Sequence, residues 1–185
     1  MSGQQRDWTL RAAGREYCEA LALIGAATFL ESFAGILDGD AIVAHCARVH
    51  SASAYAQLFE KGAKAWLALA GEGKAPIGYA LTAPPDLAAA KEGDIELKRI
   101  YVLSRYHGAG VGHALMQDVL ASHTDRDRLL LGVYAANDKA IAFYERQGFS
   151  RIGTRRFDVG GTLYDDLVLA RPLTTIVPDR KILAQ

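Results

Sequence analysis

The chain has 185 residues, half of them hydrophobic, and its 21 Lys and Arg balance its 21 Asp and Glu. That length buries a sizeable core as one domain without cross-links, and the balanced charge gives no argument for nucleic acid or an acidic partner. Two cysteines, Cys18 and Cys46, make no disulfide scaffold, and the apolar stretch Ala20 to Leu30, flanked by Glu19 and Glu31, is too short to span a bilayer. With no basic start leading into an apolar signal core, the expected location is cytoplasmic.

The first elements in chain order are a strand from Trp8 to Ala12, a helix from about Glu16 to Phe33, and helices through Ala41 to His50 and Ala52 to Glu60. Strands follow at Ala63 to Ala70 and Pro76 to Leu81. Cys46 and His50 stand four apart on a helix with His45 nearby, but no second ligand pair at metal spacing occurs, so no metal site is expected.

The run Glu96 to Leu115 then reads as strand, glycine-rich turn and helix start. Ile95, Leu97 and Tyr101 alternate with Glu96, Ile100 and Val102 at period 2, and Val111, Ala114, Leu115 and Val119 recur at helical spacing. Between them Gly108, Gly110 and Gly112 remove side chains where backbone approaches a ligand, and the free amides of the helix start favour phosphate. A Walker loop would need Gly-Lys-Ser/Thr where this chain has Gly112-His113-Ala114. The spacing Gly108-x-Gly110-x-Gly112 also departs from the dinucleotide fingerprint, so a nucleotide-phosphate binder stays only as an alternative without a matching motif.

The next segment carries an apolar strand, Leu129 to Ala135, then Asn137 as a helix N-cap, Asp138 in the first turn and Gly148 as a stop. Ala140, Ile141 and Tyr144 share one face of this helix, and on local grounds Tyr144 is an interior aromatic packed on the sheet. Strands at Phe149 to Val159 and Leu163 to Ala170, joined at Gly160-Gly161, complete the order. The whole is a mixed α/β arrangement, an α+β sheet flanked by helices, with one domain over 1–171 and a tail over 172–185 whose Ile176, Val177, Ile182 and Leu183 could support a homodimer.

Glu96-Leu97-Lys98-Arg99-Ile100-Tyr101-Val102 with the glycines after it resembles motif A of the GNAT superfamily of acyl-CoA-dependent N-acetyltransferases, Arg/Gln-x-x-Gly-x-Gly/Ala after a strand of the type E-L-x-x-I-Y-V. His107 is read as standing where the family carries Arg or Gln. Asn137-Asp-Lys-Ala140-Ile-Ala-Phe143-Tyr144 through Gly148-Phe149 resembles motif B, N-x-x-A-x-x-F-Y-x-x-x-G-F. The resemblance covers nearly the whole element order, its specific motifs lying within 96–115 and 137–149.

What the resemblance implies is a mostly antiparallel GNAT sheet and acetyl-CoA as co-substrate. The co-substrate is expected against Ile100, Tyr101 and Val102, on the turn His107, Gly108, Ala109, Gly110, Val111, Gly112 and His113, and beside Asn137 and Phe143. The implied reaction is direct attack of a primary amine on the thioester, without a covalent enzyme intermediate. An aliphatic amine has a pKa of about 10.4 and must lose a proton. By family position Glu96 is the general base through water, its local alternative being a salt bridge with Lys98 or Arg99, and Tyr144 protonates the departing thiolate.

Thr28 to Phe33 and the final hairpin are similar to segments of bacterial GNAT enzymes that acetylate spermidine and spermine. On that reading Glu31, Asp38 and Asp40 border the acceptor site and receive a polyamine, solvated loop and cap acids being the alternative. Other small amines and protein N-termini remain acceptor alternatives, and a catalytically silent CoA-binding or protein-interaction module is the alternative outside catalysis.

Overall fold

The computed structural model describes residues 7–159 and 161–173. β1 (Trp8–Ala13) leads through one 3-10 turn, Arg15–Tyr17, into α1 (Cys18–Phe33), α2 (Gly39–Val49) and α3 (Ala52–Glu60). β2 (Lys64–Ala70), β3 (Ala75–Ala83) and β4 (Asp94–Val102) follow, then a second 3-10 turn, Ser104–Tyr106, and α4 (Val111–Ala121). The chain continues with β5 (Arg128–Tyr134), α5 (Asp138–Arg146), β6 (Ser150–Val159) and β7 (Thr162–Pro172). Short polar side chains start three of the helices: Asp38, Ser51 and Asn137 accept from the amides of Ala41, Ala54 and Ala140 at 3.0, 3.2 and 3.1 Å. The first helix, expected from Glu16, begins at Cys18 because the preceding residues form the 3-10 turn. The tail's Ile176, Val177, Ile182 and Leu183, and Gly160 of the last turn, lie outside the described residues.

The strands form one seven-stranded sheet in the order β1-β2-β3-β4-β5-β7-β6, antiparallel throughout except between β4 and β5. β2 shows how the sheet divides the core: Ala65, Leu67 and Leu69 pack with α1 and α3, while Trp66, Ala68 and Ala70 pack on the face that carries α4 and Tyr144 of α5. Alternation of apolar residues on both faces is what a strand buried between helices requires.

β4 breaks that alternation. Its register with β3 steps from Leu81↔Arg99 to Thr82↔Leu97, which leaves Lys98 as the extra residue of a bulge. Ile95 and Leu97 before the bulge, and Ile100 and Val102 beyond it, all pack on the α4 side, whereas Tyr101 joins the α1–α3 core. The period-2 reading that grouped Tyr101 with Ile95 and Leu97 is therefore corrected, because one inserted residue reverses every side chain after it.

β4 and β5 pair only at Asp94↔Arg128, Ile95↔Leu129 and Glu96↔Leu130. Beyond Glu96 the first stays with β3 as far as Val102, and the second stays with β7 as far as Tyr134. Between them the facing edges part, leaving backbone donors and acceptors that no strand satisfies. The closed end is pinned by Arg128, whose Nε and Nη2 donate to Asp94 Oδ1 and Oδ2 at 2.9 and 2.6 Å, a bidentate fork joined by the Lys91 amide at 2.7 Å. Burial alone would raise the Asp94 carboxyl, but these hydrogen bonds and the Arg128 charge outweigh it and hold it below its usual range.

Replacing Arg128 with Met strands that carboxylate and is expected to cost about 3 kcal/mol at neutral pH in urea denaturation. Because the folded pKa of Asp94 is depressed, its contribution is complete above the unfolded value of about 3.9 and is lost as pH falls below it. The gap between native chain and variant therefore closes on acidification, and a gap independent of pH would contradict this account.

Candidate functional site

The parted strands open into a cavity of about 1280 Å³ bounded by α1, α2, β4, α4, β5, α5 and the β6–β7 hairpin. At one end lies the glycine-rich turn. Gly108 and Gly110 both take φ of +82°, the left-handed region that a side chain disfavours, and Gly110 is the N-cap of α4 with no side-chain cap. The first helical bond runs from Ala114 N to Gly110 O, so the amides of Val111, Gly112 and His113 lack an intrahelical acceptor and sit at the positive end of the helix dipole. The turn is held from outside by Glu31, which accepts from the Ser104 amide at 2.8 Å and its hydroxyl at 2.7 Å. These bonds, the hydroxyl's first, lower the Glu31 pKa.

The residues expected to hold the co-substrate converge here. Ile100, Tyr101, Val102, His107, Gly108, Gly110, Val111, Gly112, His113, Asn137 and Phe143 all line the cavity, and Ala109 of the same turn does not. Asn137 also caps α5. His107 Nε2–H donates to the Val102 carbonyl at 2.9 Å, so its ring bonds the last residue of β4. His107 is not the basic position of the motif. Arg105-Tyr106-His107-Gly108-Ala109-Gly110 satisfies Arg-x-x-Gly-x-Gly, so Arg105, its guanidinium carbon 5.4 Å from the Tyr106 ring centroid, holds that position.

Tyr144 and Glu96 also line the cavity. The Tyr144 ring packs against Phe143 and Phe149, with centroids 5.4 and 5.7 Å away, and no side chain among the described residues bonds its hydroxyl. Burial first, and Tyr101 nearby second, raise its pKa, so it keeps its proton at neutral pH. Glu96 is 2% exposed. Its Oε2 accepts from Lys98 Nζ at 2.7 Å and the Asp86 amide at 3.0 Å, while Oε1 has only Arg155 Nη1 at 4.0 Å. The local salt-bridge reading thus holds for Lys98 but not for Arg99. Arg155 reaches Glu96 by lying over Gly132 of β5, where a Cβ would meet its Nη2 at 2.5 Å, and it also binds Asp166 at 3.1 Å.

The acids assigned to the acceptor lie elsewhere. Glu31 serves the Ser104 turn, Asp38 caps α2, Asp40 is exposed in the first turn of α2, and none of the three lines the cavity. Residues that sequence reasoning missed stand there instead: His45, Arg48, His50, Arg99 and Arg155, with Lys139 and Arg146 of α5. The last two were legible, since Lys139, Phe143 and Arg146 follow i, i+4, i+7 on one helical face. His50 Nδ1 meets Tyr55 Oη at 2.9 Å, and Tyr55 donates to Tyr79 Oη at 3.0 Å. No group of three or more His, Cys, Asp or Glu residues able to hold a metal stands among the described residues, and no described helix is long and apolar enough to cross a membrane.

Residues 30–149 match the model of the acetyltransferase (GNAT) family. An uncharacterized N-acetyltransferase of Mycobacterium tuberculosis is 39% identical over 99 residues, which is 52% of this chain and 60% of that relative's length. The PaiA N-acetyltransferase of Thermoplasma acidophilum, solved in complex with coenzyme A, aligns with a TM-score of 0.72 at 17% identity, over 89% of this chain and 98% of its own. The ribosomal-protein-S18-alanine N-acetyltransferase of Escherichia coli aligns at 0.63 and 20% identity, over 93% and 97%. At such identities the two structures speak to the fold, a mixed sheet shared with this chain.

Burial pushes three histidines down: His45 to about 4, His50 to about 3 and His123 to about 4, with Arg48, Arg99 and Lys64 respectively as the next cause. In a proton NMR titration these three of the five histidines should stay neutral down to about pH 5, against an ordinary value of about 6.5. Their folded pKa is depressed, so the stability they carry is complete above about pH 6.5 and is lost as pH falls towards 4. Titration of all five near 6.5 would contradict the burial described.

Proposed function

The chain belongs to the acetyltransferase (GNAT) family, and on that premise we propose that it is an N-acetyltransferase that moves an acetyl group from acetyl-CoA to a primary amine by direct attack. The observation that carries the reading is the coincidence of two unsatisfied backbone features in one cavity: the parted edge of β4 and the free amides at the start of α4. An amide-lined helix start suits a pyrophosphate, and an unpaired strand edge suits an extended amide-bearing arm. Acetyl-CoA has both parts, so the residues present fit it.

Val111, Gly112 and His113 would hold the pyrophosphate through their amides, with Lys139 and Arg146, which line the same cavity, as cations to screen phosphate charge. Leu97 to Val102 would align the arm along β4, and Asn137 and Phe143 would border it. When bound, acetyl-CoA supplies an acetyl thioester whose carbonyl carbon an amine attacks, the new C–N bond replacing C–S. The amine nitrogen gives up one proton and the sulfur gains one, so charge balances within the site. Tyr144, which stays protonated and whose hydroxyl has no hydrogen-bond partner among the described residues, is suited to give the second proton. Glu96 Oε1, the carboxylate oxygen without a close donor, is suited to take the first through water. Lys98 and Arg155 hold that carboxylate in place. Alignment of both reactants in one cavity supplies much of the acceleration.

The polyamine form of this reading depended on Glu31, Asp38 and Asp40, whose contacts above leave it without support in the cavity wall.

Thiol release from acetyl-CoA in the presence of amines tests the proposal, and a chain that binds acetyl-CoA without releasing thiol for any amine would instead be a silent CoA-binding module. Gly110→Val, which forces a β-branched residue to φ of +82°, is expected to weaken acetyl-CoA binding by about tenfold or more. Tyr144→Phe and Glu96→Gln should each lower kcat by roughly 10²-fold or more while leaving acetyl-CoA affinity near its native value. Native turnover in either variant removes that residue from the chemistry.

A further inference from the structure

The acceptor half of the cavity has an unusual balance of satisfied acids and unsatisfied bases. Its buried carboxylates each face a cation, Asp166 and Glu96 Oε1 facing Arg155 and Glu96 Oε2 facing Lys98, which also pairs with Asp86, while Asp158 accepts from the Gly161 amide at 3.1 Å. Arg48 and Arg99 have no carboxylate partner among the described residues. Arg99 instead lies over the Tyr55 ring, with its Cζ 5.3 Å from the centroid.

Two side-chain atoms among the described residues are buried with no hydrogen-bond partner, His45 Nδ1 and Arg99 Nη1. Both belong to residues of this same wall. His45 is 5% exposed, stacked on Phe29 at 4.2 Å, and close enough to feel the charges of Arg48 and Arg99. A buried polar group without a partner is destabilising, so a pair of them on one wall is a standing penalty that a ligand can relieve. Arg99 can only donate, and His45 Nδ1 donates in the tautomer that carries the ring proton there. In that tautomer both lack an acceptor, and an anionic group with two oxygens supplies it. Phe29, Phe33, Phe157 and Tyr164 line the same region and suit an apolar body.

We propose that the amine acceptor carries a carboxylate or equivalent anion, bound by Arg99 and His45 with Arg48 at the rim, so that amino acids or peptides with a free carboxylate are the substrate class and polycations are excluded. This rests on the acetyltransferase reading only for the fate of the amine, since the anion pocket is read from charge and burial alone.

The test compares acceptors that differ only in the carboxylate. L-phenylalanine and L-leucine are set against their amides, with spermidine alongside, each titrated calorimetrically into the full chain in the presence of coenzyme A and each assayed for acetyl transfer. The acids should bind at least about tenfold more tightly than the amides, the scale of one charge-assisted hydrogen bond. Arg99→Gln should erase that gap, and Arg99→Lys should restore part of it. Amides or spermidine binding as well as the acids, no binding by either acid, or a gap that survives Arg99→Gln would overturn the proposal. The comparison on the native chain needs no variant to fold. Acids that bind but are never acetylated would count against the transferase reading while supporting the anion pocket. Equal transfer to acids and amides would do the reverse.

Discussion

The parting of β4 from β5 is the constraint on which the rest depends. A parallel pair held for three residues and then released leaves backbone groups in the middle of a sheet that the fold itself does not satisfy. The cause is local and chemical. Asp94 and Arg128 lock the closed end, the bulge at Lys98 bends β4 with its β3 partner, and β7 holds β5 along its full length on the other side. A cavity results where a continuous sheet would have packed its strands about 4.8 Å apart.

Around that opening the polar groups divide by function. On the α4 side, free amides and glycines at positive φ offer donors to an anion and present no side chain to obstruct it. On the α1–α2 side, the acids are neutralised by Lys98 and Arg155, and the remaining cations and ring nitrogens look for an acceptor. Arg155 links the two sides. It can cross β5 only because residue 132 is glycine, and by doing so it places charge against both Glu96 and Asp166. The electrostatic character of the cavity is thus set by β6 and α2 as much as by the motif-bearing strand.

The fold was legible in the sequence where a residue type answers a backbone requirement. Gly108 and Gly110 announce the turn because glycine alone takes their φ without strain, and Asn137 announces a helix start because its side chain caps a free amide. The bulge at Lys98 left no such mark, since any residue can occupy it, and the face of Tyr101 was misjudged in consequence. The acids of the first helices misled for a related reason. Glu31 and Asp38 are chosen by a turn and a cap in their own neighbourhood, and a charge count cannot distinguish that duty from ligand binding. Arg105 is legible in its spacing of three residues to Gly108, a spacing that His107 does not meet. Arg99 and His45 could not be found from sequence, because their significance lies in missing partners, which only the packed structure reveals.

The central claim is that one ligand satisfies both the open edge of β4 and the start of α4. Hydrogen–deuterium exchange with and without acetyl-CoA reads this at the backbone itself. Protection should appear together over residues 97–102 and 111–113, with the already paired residues 94–96 unchanged. Protection of neither segment, or protection spread evenly over the sheet, would contradict the account.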